Sequence, residues 1–357
     1  MIVTTKEALN KRWDIFCRVI DNYGDIAVCW RLAKQLVVEH GLQVRLWVDD
    51  IAPLAALCPE YSNYEVDVQV WRADFPEVNP ADVVIEAFAC DLPNSYIAAM
   101  QQCPPVWINL EYLSAESWTA DFHSKPSALP PLTKHFFFPG FISQTGGLLR
   151  ERGAFAHPPS LATDTLRISL FGYENNSIEV LLEAWSQSTM PVICMVPHGK
   201  LLPQVQAWMG NSTKHGSLTV ENLPFMPQDD YDDLLASCDL NFVRGEDSFV
   251  RAQLAGKPLV WHIYPQADDA HLPKLQAFLE IYCAGLPAPV ARDVKSFHLA
   301  WNRGHLDITA WSDFWRHSEI LQLHAARWRK QLLAQSDLAG NLVKFCEDVF
   351  EKQQNKL

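Results

Sequence analysis

The sequence predicts an α/β protein with two domains in series, each built on a mostly parallel β-sheet. The length of 357 residues is enough for two domains of ordinary size. Short apolar strands alternate with helical stretches in the first half of the chain, and after a break a second alternation begins. Strands that are separated by helices pair in parallel through right-handed crossovers, which supports this fold class.

In the first half, the stretch "DIAVCWRLAKQLVVEHG" carries apolar residues at helical spacing and ends at Gly41, which predicts a helix between the first two strands. The six predicted strands of this half are Trp13–Val19, Val44–Asp49, Val66–Trp71, Asp82–Phe88, Pro105–Glu111 and His135–Phe138.

Residues 114–165 are rich in Pro, Ser and Gly, which predicts loops and a domain boundary near 155–165. We therefore expect an N-terminal Rossmann-like domain over 1–160 and a C-terminal one over 165–335. An amphipathic helix over 336–357 is expected to pack back on the N-terminal domain. The predicted strands of the second half are Leu166–Tyr173, Val192–Val196, Leu218–Val220, Asp239–Val243 and Pro258–Ile263.

The composition excludes several classes of function. The net charge of −13 argues against general binding of nucleic acid, which requires a basic surface. Nine scattered cysteines without a C-x-x-C pair predict reduced thiols in a cytoplasmic protein. We find no signal peptide and no apolar run long enough to cross a membrane. The twelve histidines show no metal-ligand spacing, so no metal site is expected.

The turn after the first strand, "DNYGD" (21–25), carries two carboxylates at the edge of the sheet that faces ligands. Nucleotide enzymes usually place phosphate-binding glycines there. Asp25 is explained equally well as a cap of the following helix, and Asp21 alone as a solvated loop residue. If the two carboxylates are functional instead, their negative charge suits a cationic substrate.

A second informative stretch is "CDLNFVRGEDSFVRAQLAGKPLVWHIYPQ", which predicts a strand, a tight turn at Arg244-Gly245, and a helix that ends at Gly256. The acidic residues at the helix start are explained by capping alone, with Ser248 or Asp247 as the N-cap. Arg244 beside the helix N-terminus also suits a diphosphate. The helix looks like the donor-binding helix of two-domain (GT-B) glycosyltransferases.

Aromatic residues near predicted strand ends provide candidates for binding a nucleobase and a sugar. Phe225 and Gln228 lie on the loop after a strand of the second domain. In a glycosyltransferase this loop holds the base, so Phe225 is a candidate to stack on it and Gln228 to form a hydrogen bond with its edge. Phe225 is equally well explained as a core residue. Tyr173 and Tyr264 either touch the sugar or phosphates or line the edge of the core.

The sequence closely resembles the EarP family, the bacterial arginine rhamnosyltransferases that modify translation elongation factor P. The resemblance spans nearly the whole chain, and its segments include "WDIFCRVIDNYGDIAVCWRLAKQL", "INLEYLSAESW", "SLFGYEN" and "LPFMPQDDYDDLLASCDLNFVRGEDSFVRAQLAGKPLVWHIYPQ". It implies a GT-B fold, with two Rossmann-like β/α/β domains facing each other across a cleft. It further implies a dTDP-β-L-rhamnose donor, an arginine acceptor on elongation factor P, inversion at the anomeric carbon, and no metal or other cofactor.

The resemblance also implies roles for individual residues. The catalytic residues are Asp21, Asp25 and Glu246, and the acceptor-binding residues are Asp21, Asn22, Tyr23 and Asp25. The sequence departs from the family pattern "DNYGDIG" at Ala27, which replaces another small residue. The donor-binding residues are Phe171, Tyr173, Phe225, Gln228, Arg244, Asp247, Ser248 and Tyr264.

An arginine acceptor explains the acidic turn, because a carboxylate binds a guanidinium bidentately and fixes its plane. As the nitrogen attacks, it becomes acidic, and Asp21 is the predicted general base that takes the proton. Asp25 is predicted to orient the guanidinium or the loop. Glu246 either accepts from sugar hydroxyls, touches the acceptor or holds Arg244.

Three other functions remain open on the sequence. One is a nucleotide-sugar-dependent glycosyltransferase with a small-molecule acceptor, which would keep the donor pocket. Another is a nicotinamide-dependent dehydrogenase, although G-x-G-x-x-G is absent after the first strand. The third is a non-catalytic protein that docks on elongation factor P.

Overall fold

The computed structural model describes residues 11–19, 23–155 and 164–355 of the chain. These residues divide into two units. Unit 1 holds the described residues up to Ala154 together with those from Gln335 onward, and unit 2 runs from Phe155 to Ala334. The C-terminal segment thus belongs to unit 1.

Unit 1 contains a seven-stranded sheet in the order β3-β2-β1-β4-β5-β7-β6, in which only the β6–β7 pair is antiparallel. Its strands are β1 (Arg12–Cys17), β2 (Gln43–Val48), β3 (Val66–Val70), β4 (Val83–Ala87), β5 (Val106–Leu110), β6 (Pro126–Leu129) and β7 (Leu132–Phe137). The helices between them are α1 (Gly24–His40), α2 (Ala52–Leu57), α3 (Asn94–Gln102) and α4 (Thr119–Phe122).

Both faces of this sheet are covered, as parallel sheets require. Along β1, Ile15 and Cys17 pack into one core with α1, whereas Phe16 points to the opposite core beside Trp47 and Tyr96. The prediction of loops over residues 114–165 was wrong at α4 and at β6, which forms a short hairpin with β7. The strand lies at the sheet edge and is mostly exposed, where Pro126 removes no required ladder hydrogen bond.

Unit 2 contains a six-stranded sheet in the order β10-β11-β9-β8-β12-β13, in which only the β10–β11 pair is antiparallel. Its strands are β8 (Leu166–Leu170), β9 (Val192–Pro197), β10 (Lys214–His215), β11 (Leu218–Leu223), β12 (Leu240–Arg244) and β13 (Leu259–His262). Its helices are α5 (Ile178–Ser186), α6 (Leu202–Met209), α7 (Gln228–Ser237), α8 (Asp247–Ala255), α9 (Leu272–Cys283), α10 (Ala288–Arg303), α11 (Ala310–Trp315) and α12 (Ser318–Leu333).

The last helix, α13 (Leu338–Gln354), packs on unit 1. Leu338 and Leu342 are buried in the core that contains α1, and Phe345 packs against that core. The Asp337 carboxylate caps the helix by accepting from the Gly340 N–H at 3.0 Å, and it also accepts from Gln35 Nε2 at 3.1 Å. The Gln35–Asp337 hydrogen bond and a buried apolar stripe therefore join α13 to α1.

The two sheets share one plan that determines where ligands bind. The central strand order is β3-β2-β1-β4-β5 in unit 1 and β11-β9-β8-β12-β13 in unit 2, which is the Rossmann order. The order reverses between β1 and β4, and again between β8 and β12. Ligands bind beyond the carboxyl ends of the strands at such points. None of the described helices is long and apolar enough to span a membrane.

Candidate active site

In unit 1, β1 ends at Cys17 and α1 begins at Gly24, so the last two residues of the acidic turn, Gly24 and Asp25, form the start of α1. Asp21 and Asn22 lie outside the described residues. Tyr23 is 36% exposed and occupies the N-cap position without a side-chain capping bond. Asp25 is the second residue of α1, so it does not cap the helix as the alternative interpretation supposed. Its carboxylate still lies in the first turn, where the helix dipole favours negative charge.

Asp25 is only 5% exposed, and a tyrosine from a neighbouring strand end contacts it. The hydroxyl of Tyr112, two residues after β5, donates to Asp25 Oδ1 at 3.3 Å. The Tyr112 ring stacks on Phe88, which follows β4, with centroids 4.4 Å apart and planes 16° apart. The sequence reasoning missed Tyr112. The pair Glu111-Tyr112, directly after a fully buried strand, is the feature of the sequence that could have indicated it.

In unit 2, Arg244 lies at the end of β12, at the point where the strand order reverses. Its guanidinium carbon lies 4.6 Å from the ring centroid of Phe171 and 4.8 Å from that of Tyr173. The Nη1 atom is buried and has no hydrogen-bond partner among the residues that the structure describes. A buried guanidinium donor without an acceptor is costly. The arrangement therefore suits an anionic ligand that supplies the missing acceptor.

The turn after Arg244 leads into the N-terminus of α8. Gly245 has a φ of 67°, the left-handed conformation that glycine adopts without strain. The prediction of Ser248 or Asp247 as N-cap was wrong, because Glu246 occupies that position and makes no side-chain capping bond. Ser248 instead donates its hydroxyl to the Arg244 carbonyl. The N-terminus of α8, with its positive dipole end, thus follows directly on Arg244 and Gly245, a position that favours an anion.

Residues predicted to bind the base lie at the start of α7. Phe225 is 37% exposed on the loop between β11 and this helix, so it is not a core residue. Gln228 is 5% exposed, and its Nε2 lies 3.5 Å from Asp247 Oδ2 at the start of α8. An exposed ring and a buried amide therefore lie on the same short segment.

Tyr173 connects the remaining donor-binding candidates. It is 5% exposed, and its ring meets that of Tyr264 edge-on at 5.5 Å, while Tyr264 itself is 49% exposed. The ammonium of Lys200, on the loop after β9, lies 5.9 Å from the Tyr173 ring centroid. The sequence reasoning missed Lys200, which follows a strand end in the short run His198-Gly199-Lys200. Two cations, Lys200 and Arg244, thus lie close to one aromatic ring.

His262 packs against this cluster from the end of β13. It is 3% exposed, its Nδ1 accepts from the Tyr173 N–H at 3.3 Å, and its ring packs edge-on against Trp301. Burial lowers the pKa of His262 to about 3, with a smaller contribution from the charge of Arg244. The imidazole therefore stays neutral and acts as an acceptor. No group of three or more His, Cys, Asp or Glu side chains within the described ranges is arranged to hold a metal ion.

The lowered pKa of His262 predicts a pH dependence of stability. An unfolded histidine takes up its proton near pH 6.5, whereas folded His262 does so only near pH 3. The contribution to the free energy of unfolding is therefore complete above pH 6.5 and is lost as the pH falls toward 3, by about 1.4 kcal/mol per pH unit. We expect His262→Asn to reduce the slope of unfolding free energy against pH by about 1.4 kcal/mol per pH unit between about pH 6 and 4.5, which corresponds to one proton. The measurement is urea denaturation at each pH. The same change at exposed His305 is the control, and an unaltered slope in His262→Asn would contradict the prediction.

The structure thus groups the predicted residues within each unit. In unit 2, Phe171, Tyr173, Arg244 and Tyr264 form one connected cluster, and Gln228, Asp247 and Ser248 adjoin the start of α8. In unit 1, Asp25 is joined to Tyr112 and Phe88. One group has the cations that suit phosphate, and the other has the buried carboxylate that suits a cation.

Comparison with known proteins places the chain in one family. The model of the elongation factor P (EF-P) rhamnosyltransferases, EarP, matches residues 13–347. Protein-arginine rhamnosyltransferases of Pseudomonas aeruginosa and Pseudomonas putida are each 46% identical to the chain. The alignments cover 94% and 93% of this chain, and 99% and 98% of the relatives.

Solved structures give a consistent result. A structure that describes EarP-mediated arginine glycosylation of translation elongation factor EF-P superimposes with a TM-score of 0.69 at 35% identity, covering 95% of this chain and 99% of that one. MurG of Acinetobacter baumannii, at 14% identity, superimposes with a TM-score of 0.57 over 95% of this chain and 99% of its own. The second likeness concerns the fold alone.

Proposed function

Since the chain belongs to the EarP family of elongation factor P rhamnosyltransferases, we propose that it transfers L-rhamnose from dTDP-β-L-rhamnose to an arginine of translation elongation factor P. The chain is a glycosyltransferase of the GT-B fold. The donor, the acceptor protein, inversion to an α-rhamnosyl-arginine and the role of Asp21 as general base are the proposed parts. The cytoplasm is the proposed location, because a translation factor is the acceptor.

The observation that carries the donor assignment is Arg244. Its guanidinium carbon lies 4.6 Å and 4.8 Å from two aromatic ring centroids, and its buried Nη1 has no acceptor among the described residues, beside the N-terminus of α8. A diphosphate supplies the acceptor oxygens and the negative charge that both features favour. As the leaving group departs, the same two features stabilise its developing charge without reorganisation. The proposal therefore includes no metal ion, and we expect EDTA to leave the rate unchanged.

The rest of the donor pocket follows from exposure and hydrogen bonding. The exposed ring of Phe225 is assigned to stacking on the base, and Gln228 to its polar edge, with Asp247 holding the amide. Tyr264 presents an exposed ring beside Tyr173 and is assigned to the sugar or phosphates. Glu246, at the N-cap of α8, is assigned to hydroxyls of the rhamnose. A carboxylate beside a diphosphate is unfavourable unless it accepts a hydrogen bond, and the sugar hydroxyls can donate one.

The acceptor assignment rests on charge and chemistry. A guanidinium remains protonated at neutral pH and is a poor nucleophile. In the proposed step, the nitrogen forms a bond to the anomeric carbon as the bond from that carbon to the phosphate oxygen breaks. Asp21 takes the proton that the nitrogen releases, so a free guanidine need not form first. Asp25 and the segment Asn22-Tyr23 orient the acceptor.

The direct test combines the purified protein, elongation factor P and dTDP-β-L-rhamnose, followed by intact-mass spectrometry. We expect one added deoxyhexose, about 146 Da, and an α anomeric signal by NMR. Replacement of the acceptor arginine by lysine is the matched control and should abolish the gain. Hydrolysis or transfer of the sugar only to a small molecule would instead favour a glycosyltransferase with a small-molecule acceptor.

A further inference from the structure

We propose that Tyr112 forms one wall of the acceptor site, where its ring stacks on the acceptor guanidinium and its hydroxyl positions Asp25. This inference rests on the proposed function, because it concerns the arginine that receives the sugar. It assigns a role to a residue outside the acidic turn, just after β5, the strand that lies two places from β1 in the sheet.

The geometry gives Tyr112 two separate tasks. Its hydroxyl donates to Oδ1 of Asp25 at 3.3 Å, and Asp25 is 5% exposed. Tyr112 as a whole is 41% exposed, although its ring is stacked on Phe88. A partly exposed residue whose ring is supported by Phe88 and whose hydroxyl contacts a buried carboxylate is well placed to meet a planar cation.

The support beneath the ring is held in an unusual backbone conformation. Phe88, Ala89 and Asp91 all have φ between 51° and 56°, in the left-handed region that non-glycine residues rarely adopt. Such conformations persist only where the surroundings hold them, and they cluster at functional sites. The Phe88 N–H donates to the Leu110 carbonyl at 2.7 Å, which ties this loop to the end of β5. The loop after β4 therefore fixes Phe88 against Tyr112.

The chemistry favours arginine over other cations. A guanidinium is planar and weakly hydrated, so it stacks on an aromatic face while its edge donates to a carboxylate. The ammonium group of lysine is not planar and cannot donate two parallel hydrogen bonds to one carboxylate. A ring and a carboxylate linked by a hydrogen bond thus match the two surfaces of an arginine side chain. Tyr112 is a binding residue through its ring and a positioning residue through its hydroxyl.

Two variants separate the tasks. We expect Tyr112→Leu to raise the KM for elongation factor P about tenfold, within the range of a lost cation–π contact, and to leave the KM for dTDP-β-L-rhamnose within about twofold of wild type. We expect Tyr112→Phe to keep the acceptor KM within about threefold, because the ring remains, and to lower kcat about fivefold, because Asp25 loses a hydrogen bond.

The control is Phe122→Leu, which removes another exposed aromatic ring from unit 1 and should leave both KM values unchanged. Equal rises of both KM values in Tyr112→Leu would indicate a structural role and overturn the proposal. An acceptor KM within about twofold of wild type in that variant would overturn it as well. If wild-type protein adds no deoxyhexose to elongation factor P, the proposed function itself fails, which is a different result.

Discussion

Arg244→Met is expected to lower kcat/KM about 10²–10³-fold, because one preorganised charge on a leaving group is commonly worth that much. Methionine keeps an unbranched side chain beside the rings of Phe171 and Tyr173 and removes the charge and the donors. The loss should therefore arise from the phosphate contacts and leave the packing of the pocket in place.

Ligand binding provides the sharper measurement. By calorimetry, Arg244→Met should weaken dTDP about tenfold or more and leave thymidine within about twofold, because thymidine has no phosphate. Arg327→Met removes an exposed arginine from the same unit and should change neither affinity. Equal weakening of dTDP and thymidine would show that the variant disturbs the pocket as a whole, and unchanged binding of dTDP would remove Arg244 from the diphosphate site.

The fold was largely predictable, because parallel strands buried on both faces form continuous apolar runs that stand out in the sequence. The predicted strand Pro105–Glu111 exceeds the fully buried β5 (Val106–Leu110) by only one residue at each end. The missed strands β6 and β10 are short edge strands that pair antiparallel. Edge strands lack the apolar signal, since their side chains are largely exposed and their pairing depends on a neighbour rather than on burial.

The local geometry of the candidate site was predictable where its residues follow one another along the chain, as in the strand, turn and helix around Arg244. Contacts between distant strand ends were not. Tyr112 meets Asp25 across 87 positions, and Lys200 meets Tyr173 through the loop after another strand. These contacts depend on the strand order, which the hydrophobic pattern does not encode. The capping error at Ser248 has a local cause, because its hydroxyl bonds backward to Arg244 rather than to the helix.

Asp21→Asn is expected to produce the largest loss of all, about 10²–10⁴-fold in kcat, if Asp21 is the general base. The amide is nearly isosteric and can still accept from the guanidinium, but it cannot take the proton. The acceptor KM should therefore change less than kcat. Single-turnover mass spectrometry with saturating elongation factor P measures the chemical step directly.

Asp25→Asn should behave differently, because Asp25 is buried, contacts Tyr112 and is assigned to orientation. We expect a rise in the acceptor KM that exceeds the fall in kcat, since a neutral amide holds the guanidinium less strongly than a carboxylate. Asp67→Asn, an exposed change on β3, is the matched control. If Asp25→Asn shows the large loss of kcat and Asp21→Asn does not, the two carboxylates exchange roles, and the base is the one held by Tyr112.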